Sequence, residues 1–231
     1  MSVVSVVQHT SADYLGLMED HLEGRGIRFQ YFRPFTEGTP LPDPGGVGDA
    51  LFILGGGPWG TAGTRDLPTL KQELSLIYAC LMQDKAVVGI ELGAQLLALA
   101  ADGGSEAMPL AFEVGHGMRV AEDALNGFLP ERFPCVSFMR DRPRPPDYAH
   151  VLAEDPSGRP ALFQIGENAF GFSFHPGFKL AIAEDLIMEF EENPPEPVAG
   201  LEKLRPMKRE IEDALVPIMT GLIQCTGLMD T

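Results

Sequence analysis

Three short stretches of this 231-residue chain combine residue types that could do chemistry. In Gly89-Ile90-Glu91-Leu92-Gly93-Ala94-Gln95, glycines stand two before and two after a carboxylate. That spacing has the logic of a nucleophile elbow. The glycines let a strand and a helix approach, and the central side chain projects from a strained turn. The dipole of a helix starting there favours an anion. A second stretch, Gly55-Gly56-Gly57-Pro58-Trp59, follows an apolar run. It could aim backbone N–H groups at a developing oxyanion, or be no more than a tight turn. The third, Gly171-Phe172-Ser173-Phe174-His175-Pro176-Gly177, delivers a histidine into a turn.

The elements that must position these residues are legible as an alternation. Ser2 to Val7, Ala50 to Leu54 and Ala86 to Ile90 are short apolar runs that read as buried strands, and Arg28 to Phe35 reads as a strand nearer the sheet edge. Between them, Ser11 to Glu23 (Ser11 as N-cap), Leu67 to Met82 and Leu92 to Ala101 read as helices, with a Pro/Gly loop over Thr39 to Gly48. Apolar strands alternating with helices predict a doubly wound α/β fold, a mostly parallel sheet flanked by helices. Such sheets bind ligands at the carboxyl ends of their strands, where the Gly55–Trp59 and Gly89–Gln95 stretches fall. The second half predicts short strands at Phe112–Val120, Cys135–Asp141, His150–Glu154, Ala161–Ile165 and Ala169–Phe174, with hairpin-like turns at Ser157-Gly158 and Glu167-Asn168. A helix follows over Phe178–Phe190. The division expected is one domain over 1–192, then a Pro-rich linker and an amphipathic C-terminal helix over 193–231. Leu201, Leu204, Met207, Ile211, Leu215, Ile218 and Leu222 form the apolar stripe of that helical extension, which Pro217 should kink or end. Packing back on its own domain is the favoured role of the stripe; docking a second subunit is the sharper one.

Composition narrows the partners. Seventeen Lys and Arg against 33 Asp and Glu leave a net charge of −16, which repels phosphate, so neither nucleic acid nor an anionic membrane is expected. The longest apolar run, Ala94 to Ala101, is too short to span a bilayer, and the N-terminus lacks the basic and apolar regions of a signal peptide. Cys80, Cys135 and Cys225 are far apart and odd in number. They suit a reducing, cytoplasmic setting and read as packing residues.

The ordered set of stretches resembles the class I glutamine amidotransferase family, in the branch of stand-alone amidotransferase-like proteins. There a G-x-C-x-G-x-Q elbow carries the cysteine nucleophile and a later H-P-E supplies its base and orienter. The Gly-Gly-Pro turn is similar to the family's oxyanion turn, and Gln95-Leu-Leu-Ala98 to the residues after its elbow. Phe112-Glu-Val-Gly115 and the stretch from Phe138 to Asp155 are similar to later segments of that branch, so the likeness covers Val3 to Phe190. It implies catalytic positions at Glu91, His175 and Gly177, with Gly56, Gly57, Leu92 and Gln95 at the ligand and oxyanion side. It also implies a synthase or other protein partner. Two of the three catalytic residues differ: Glu91 stands at the cysteine position and Gly177 at the glutamate of H-P-E.

A carboxylate nucleophile would give an anhydride where the thiol gives a thioester, and glutaminase chemistry should fail by orders of magnitude. Glu91 is expected to remain an anion and to pair with His175. The reading is a catalytically degenerate amidotransferase-like protein. It would bind a small molecule in the vestigial glutamine pocket or serve as a regulatory or structural subunit, with a homo-oligomer also compatible. The alternative is an active amidotransferase or another hydrolase using Glu91 and His175 as an acid–base pair. Those two could also be ligands of a metal completed by His9, His116 or Glu113, but no motif requires one, and neither metal nor cofactor is expected. Trp59 could wall a ligand pocket or merely pack, and Asp141, Arg142 and Arg144 could lie over the site or form a solvated turn.

Overall fold

The structure, a computed structural model, describes residues 2–36 and 40–229. Thr39, at the start of the expected Pro/Gly loop, lies outside the described residues. Strands β1 (Val3–Val7), β2 (Arg28–Phe32), β3 (Ala50–Ile53) and β4 (Ala86–Ile90) pair in parallel in the order β2-β1-β3-β4, with β2 at the edge as its alternating sequence predicts. The sheet continues through β11 (Ala169–Phe172), parallel to β4, then turns antiparallel through β10 (Pro160–Ile165), β9 (His150–Glu154), β6 (Ala111–Arg119) and β7 (Arg132–Met139). Among the described residues it has nine strands, and a separate two-stranded ribbon joins β5 (Gly104–Glu106) to β8 (Arg142–Arg144).

Alternation along each parallel strand sends side chains to opposite faces, and both faces are covered. Val4, Val6, Phe52, Val88, Ile90 and Phe172 share one core with Met18 and Leu22 of α1 (Met18–Glu23). Leu51, Ile53 and Val87 share the other with α2 (Leu70–Met82) and α3 (Leu92–Ala100). A third core joins Val136 and Phe138 of β7 to α4 (Leu180–Glu189) and α5 (Pro197–Leu204).

The C-terminal stripe packs back on this domain. Leu215, Ile218 and Leu222 of α6 (Lys208–Cys225) enter the same core as Val4 and Leu22, while Leu204 and Ile211 enter the third. His116 is 2.8 Å from Glu210 and fastens α6 to β6. Pro217 neither ends nor divides α6, contrary to expectation. The packed face on both sides of it outweighs the one backbone hydrogen bond that proline removes. No helix among the described residues is long and apolar enough to cross a membrane.

Three other expectations change. The helix expected from Ser11 starts only at Met18, and Ser11 does not cap it. Gly16 takes φ +63°, and tertiary partners claim the backbone around it. Ala12 N–H donates to Glu189, Leu15 N–H to the Tyr31 hydroxyl and Leu17 N–H to Gly177 O. The strand expected to reach Asp141 stops at Met139, because Asp141 takes φ +58° in a turn. The last parallel strand stops at Phe172, where Ser173 N–H turns to Ala161 O and His175 N–H to Val136 O.

Because α6 supplies part of the main core, Leu215→Ala should cost about 2–5 kcal/mol. Chemical denaturation should still give a single transition. A separate transition for the C-terminal segment would show that it packs as an independent unit.

Candidate active site

The elbow has the geometry its glycines require. A methyl at Gly89 would strike Gly93 O, and one at Gly93 would strike Ile53 O, so β4, α3 and β3 meet at separations that only glycine allows. Between them Glu91 takes φ +53° and ψ −106°, a strained conformation for any residue with a side chain. Its N–H is held by Phe172 O at 2.7 Å and its carbonyl accepts from Ala94 and Gln95 as α3 begins.

Its side chain makes no hydrogen bond or ion pair with His175 among the described residues. Glu91 is fully buried, and Oε1 accepts from the backbone N–H of Phe138 at 2.6 Å. Oε2 points with Asp13 Oδ2 into the space that a Gly55 side chain would fill. The two carboxyls hydrogen-bond to one another, yet neither Asp13 oxygen nor Glu91 Oε2 has a protein donor in reach. A proton on one of them supplies the missing donor. Burial, and next the Asp13 charge, push the Glu91 carboxyl well above the ordinary range. Burial likewise raises Asp13 to about 7, against the opposing charge of His9. Burial and the Asp13 charge therefore disfavour the anion expected at position 91, and a proton shared with Asp13 would satisfy the oxygens left without a donor. Desolvation outweighs the helix dipole here.

His175 is also fully engaged. Nε2–H donates to Tyr14 O at 2.7 Å, and Nδ1 accepts from Gly177 N–H at 3.1 Å, which fixes the neutral tautomer. Burial lowers its pKa to about 4. Asp13 Oδ1 is 3.9 Å from Nε2, so the carboxylate beside the histidine is Asp13. The expected Glu91–His175 pair is not formed among the described residues. Gly177, at the position the resemblance gives to the third catalytic residue, lies hard against the segment before α1. A Cβ there would stand 2.8 Å from Met18 Cγ, 2.9 Å from Met18 N and 3.0 Å from Leu15 O.

The ligand-side residues are occupied by packing. Gly57 (φ +55°) lies under Leu186 and Phe190, and a side chain at Gly56 would strike Leu92. Gln95 is fully buried, donating to Arg140 O at 2.7 Å and accepting from Thr61 Oγ at 2.8 Å. The turn after β7 is neither solvated nor loose over the site. Asp141 is buried and accepts from the N–H groups of Thr61, Ala62 and Met108, while Arg140 donates to Pro58 O. Glu192 bridges Arg140 and Arg65, and Arg65 covers the Trp59 ring at 4.8 Å; Trp59 also lines a small cavity with His9 and Phe35. Glu91, Leu92 and Gln95 are wholly buried, so none of the three faces solvent in this structure.

The remaining candidate ligands are dispersed. His9 Nε2 meets Glu73 at 2.8 Å and Nδ1 meets Gly55 O at 3.0 Å. Both partners accept, and the pKa of His9 is raised; burial opposes this, but the Glu73 charge and hydrogen bond prevail. His116 meets Glu210, and Glu113 meets Arg142. No group of three or more His, Cys, Asp or Glu is placed to hold a metal among the described residues. Burial raises all three thiols, Cys135 to about 12. The sequence reading missed Asp13 and Glu73 because each sits in a stretch read as helix, and nothing local marks either as facing the elbow.

Fold and elbow together define the class: the mostly parallel sheet with its flanking helices is the fold of class I glutamine amidotransferases. The chain is similar in structure to a glutamine amidotransferase from Methylobacillus flagellatus, with TM-score 0.81, 20% identity, and 97% of this chain and 95% of that one covered. A glutamine amidotransferase from Thermotoga maritima gives TM-score 0.79 at 22% identity over 97% and 98% of the two chains. PurLQS from the same organism is more distant, with TM-score 0.54 at 17% identity over 83% and 100%. No protein-family model matches the sequence, and no curated protein sequence matches it.

Two outcomes follow. A carboxyl with a raised folded pKa favours the fold while protonated and loses that contribution as pH rises through the folded value. Glu91→Gln can still accept from Phe138 N–H and donate to Asp13 without holding a proton. Its stability relative to the native protein should therefore grow from pH 5 to pH 8, by up to about 1.4 kcal/mol per pH unit, in urea titrations across that range. A constant or shrinking difference would remove the shared proton. Gly177→Ala should cost about 1–3 kcal/mol by the same method.

Proposed function

We propose that this chain is a catalytically silent protein of the amidotransferase fold that serves as a regulatory or structural subunit. The observation that carries the reading is the state of Glu91. At position 91 stands a buried carboxyl whose pKa is raised well above the ordinary range, held by Asp13 and Phe138 and making no bond to the histidine. An acid in that state is no nucleophile. His175 offers no free lone pair for base catalysis, since Nδ1 is taken by its own turn. The buried elbow favours the subunit role over a small molecule held in the vestigial glutamine pocket. Likeness to PurLQS supports a synthase partner in general terms, and the acidic surface suits a more basic one.

The test is glutamate release from glutamine by the purified protein beside Glu91→Cys. Neither should turn over, because restoring a thiol restores neither the base nor an open pocket. Turnover by the native protein would make Glu91 a working residue and overturn the reading. Activity in Glu91→Cys alone would show an accessible glutamine site that lost only its nucleophile.

A further inference from the structure

Where β6 and β9 part, the sheet forks. These strands pair only through Met118 with Glu154 and Arg119 with Ala153. Beyond that point the gap between β6–β7 and the β9–β10 turn holds a cavity of about 310 Å³. That volume reaches the range of small-molecule sites. None of Glu91, His175, Gly56, Gly57 or Gln95 lines it.

Arg142 sets this cavity apart. Its side chain is only 4% exposed. Nη1 donates to Asp141 O at 2.6 Å and to Met139 O at 3.3 Å, which fixes the plane of the guanidinium. Nε and Nη2, both buried, have no hydrogen-bond acceptor. Those two N–H groups form one edge of the guanidinium, the kind of parallel pair that grips a carboxylate or phosphate through two bonds. Leaving both unmade in a buried setting is costly. Glu113 Oε2 stands 2.9 Å from Nη2 as an ion pair, but out of hydrogen-bond alignment, and the Glu113 side chain is 49% exposed. It can swing into water; the guanidinium cannot.

The rest of the wall agrees with an anionic occupant. Arg159 and Lys203 add two cations. The other acid present, Asp155, already accepts through Oδ1 from the N–H groups of Ser157 and Arg159. Phe112 and Val114 offer an apolar side, and the hydroxyl-bearing Ser137 lines the opposite strand. In a chain of net charge −16, a cavity with more cations than anions runs against the general surface.

We propose that the fork cavity binds a small organic anion. Its carboxylate or phosphate sits bidentate on Nε and Nη2 of Arg142 in place of Glu113, and its body rests against Phe112 and Val114. None of the elbow residues lines the site, although the Arg142 charge also reaches Glu91.

Calorimetric titration of the full chain with benzoate, phenyl phosphate and inorganic phosphate tests this. At least one should bind saturably, and the preferred probe distinguishes a carboxylate from a phosphate ligand. Glu113→Gln should tighten that binding severalfold. Arg142→Lys keeps the charge but loses the fork, and should weaken binding at least about tenfold. Near-UV circular dichroism checks that it folds. If it does not, Arg159→Gln with Lys203→Gln carries the same test through a severalfold loss. Absence of saturable binding by all three probes overturns the proposal, as does equal affinity in the native protein and the variants.

Discussion

One proton held between the carboxyls of Asp13 and Glu91 is the constraint around which this site is arranged. Both groups are fully buried, and two bare carboxylates in contact there would be strongly disfavoured. With the proton in place, the elbow tolerates a bulky acid where its turn is tightest. Gly55 must then lack a side chain, since both carboxyls occupy the space one would need. The segment 11–17 must stay irregular to bring Asp13 there. Nearby, His9 and Glu73 form a compensating buried pair, and His9 also holds Gly55 O.

The same segment explains the state of the histidine. Tyr14 O takes Nε2–H, and Leu15 O and Met18 crowd Gly177 so closely that no side chain can stand there. Glu91 and Gly177 are therefore parts of one packing arrangement. A residue added at 177 would displace the loop that carries Asp13, and losing Asp13 would strand Glu91 without its partner. On the other side, Leu186 and Phe190 cover Gly57, while Glu192 ties Arg65 to Arg140 across the turn. The fold is that of class I glutamine amidotransferases, and the elbow of this chain is packed like a core.

What remains open lies elsewhere in the sheet. The antiparallel half diverges at β6 and β9, and that divergence creates the cavity beside Arg142. Asp141, buried between two arginines, fixes both by anchoring the turn to the N–H groups of Thr61, Ala62 and Met108. One arginine reaches the covered elbow and the other the fork. The turn that packs against the elbow side through Arg140 therefore also presents the guanidinium edge of Arg142.

The sequence by itself determined the doubly wound order, the edge position of β2, the elbow and the inward face of the C-terminal helix. These follow from signals carried within a few residues: apolar runs of strand length, glycines two apart from Glu91, and a three-to-four periodicity. It also led to a Glu91–His175 pair, a helix from Ser11 and the possible ending of a helix at Pro217, and there the tertiary structure decided otherwise. Asp13 reaches Glu91, Tyr14 reaches His175, and Leu215 reaches the core only once distant segments meet. The charge on a buried carboxyl depends on what surrounds it in space, because desolvation and a neighbouring charge set its pKa. No local pattern encodes those neighbours.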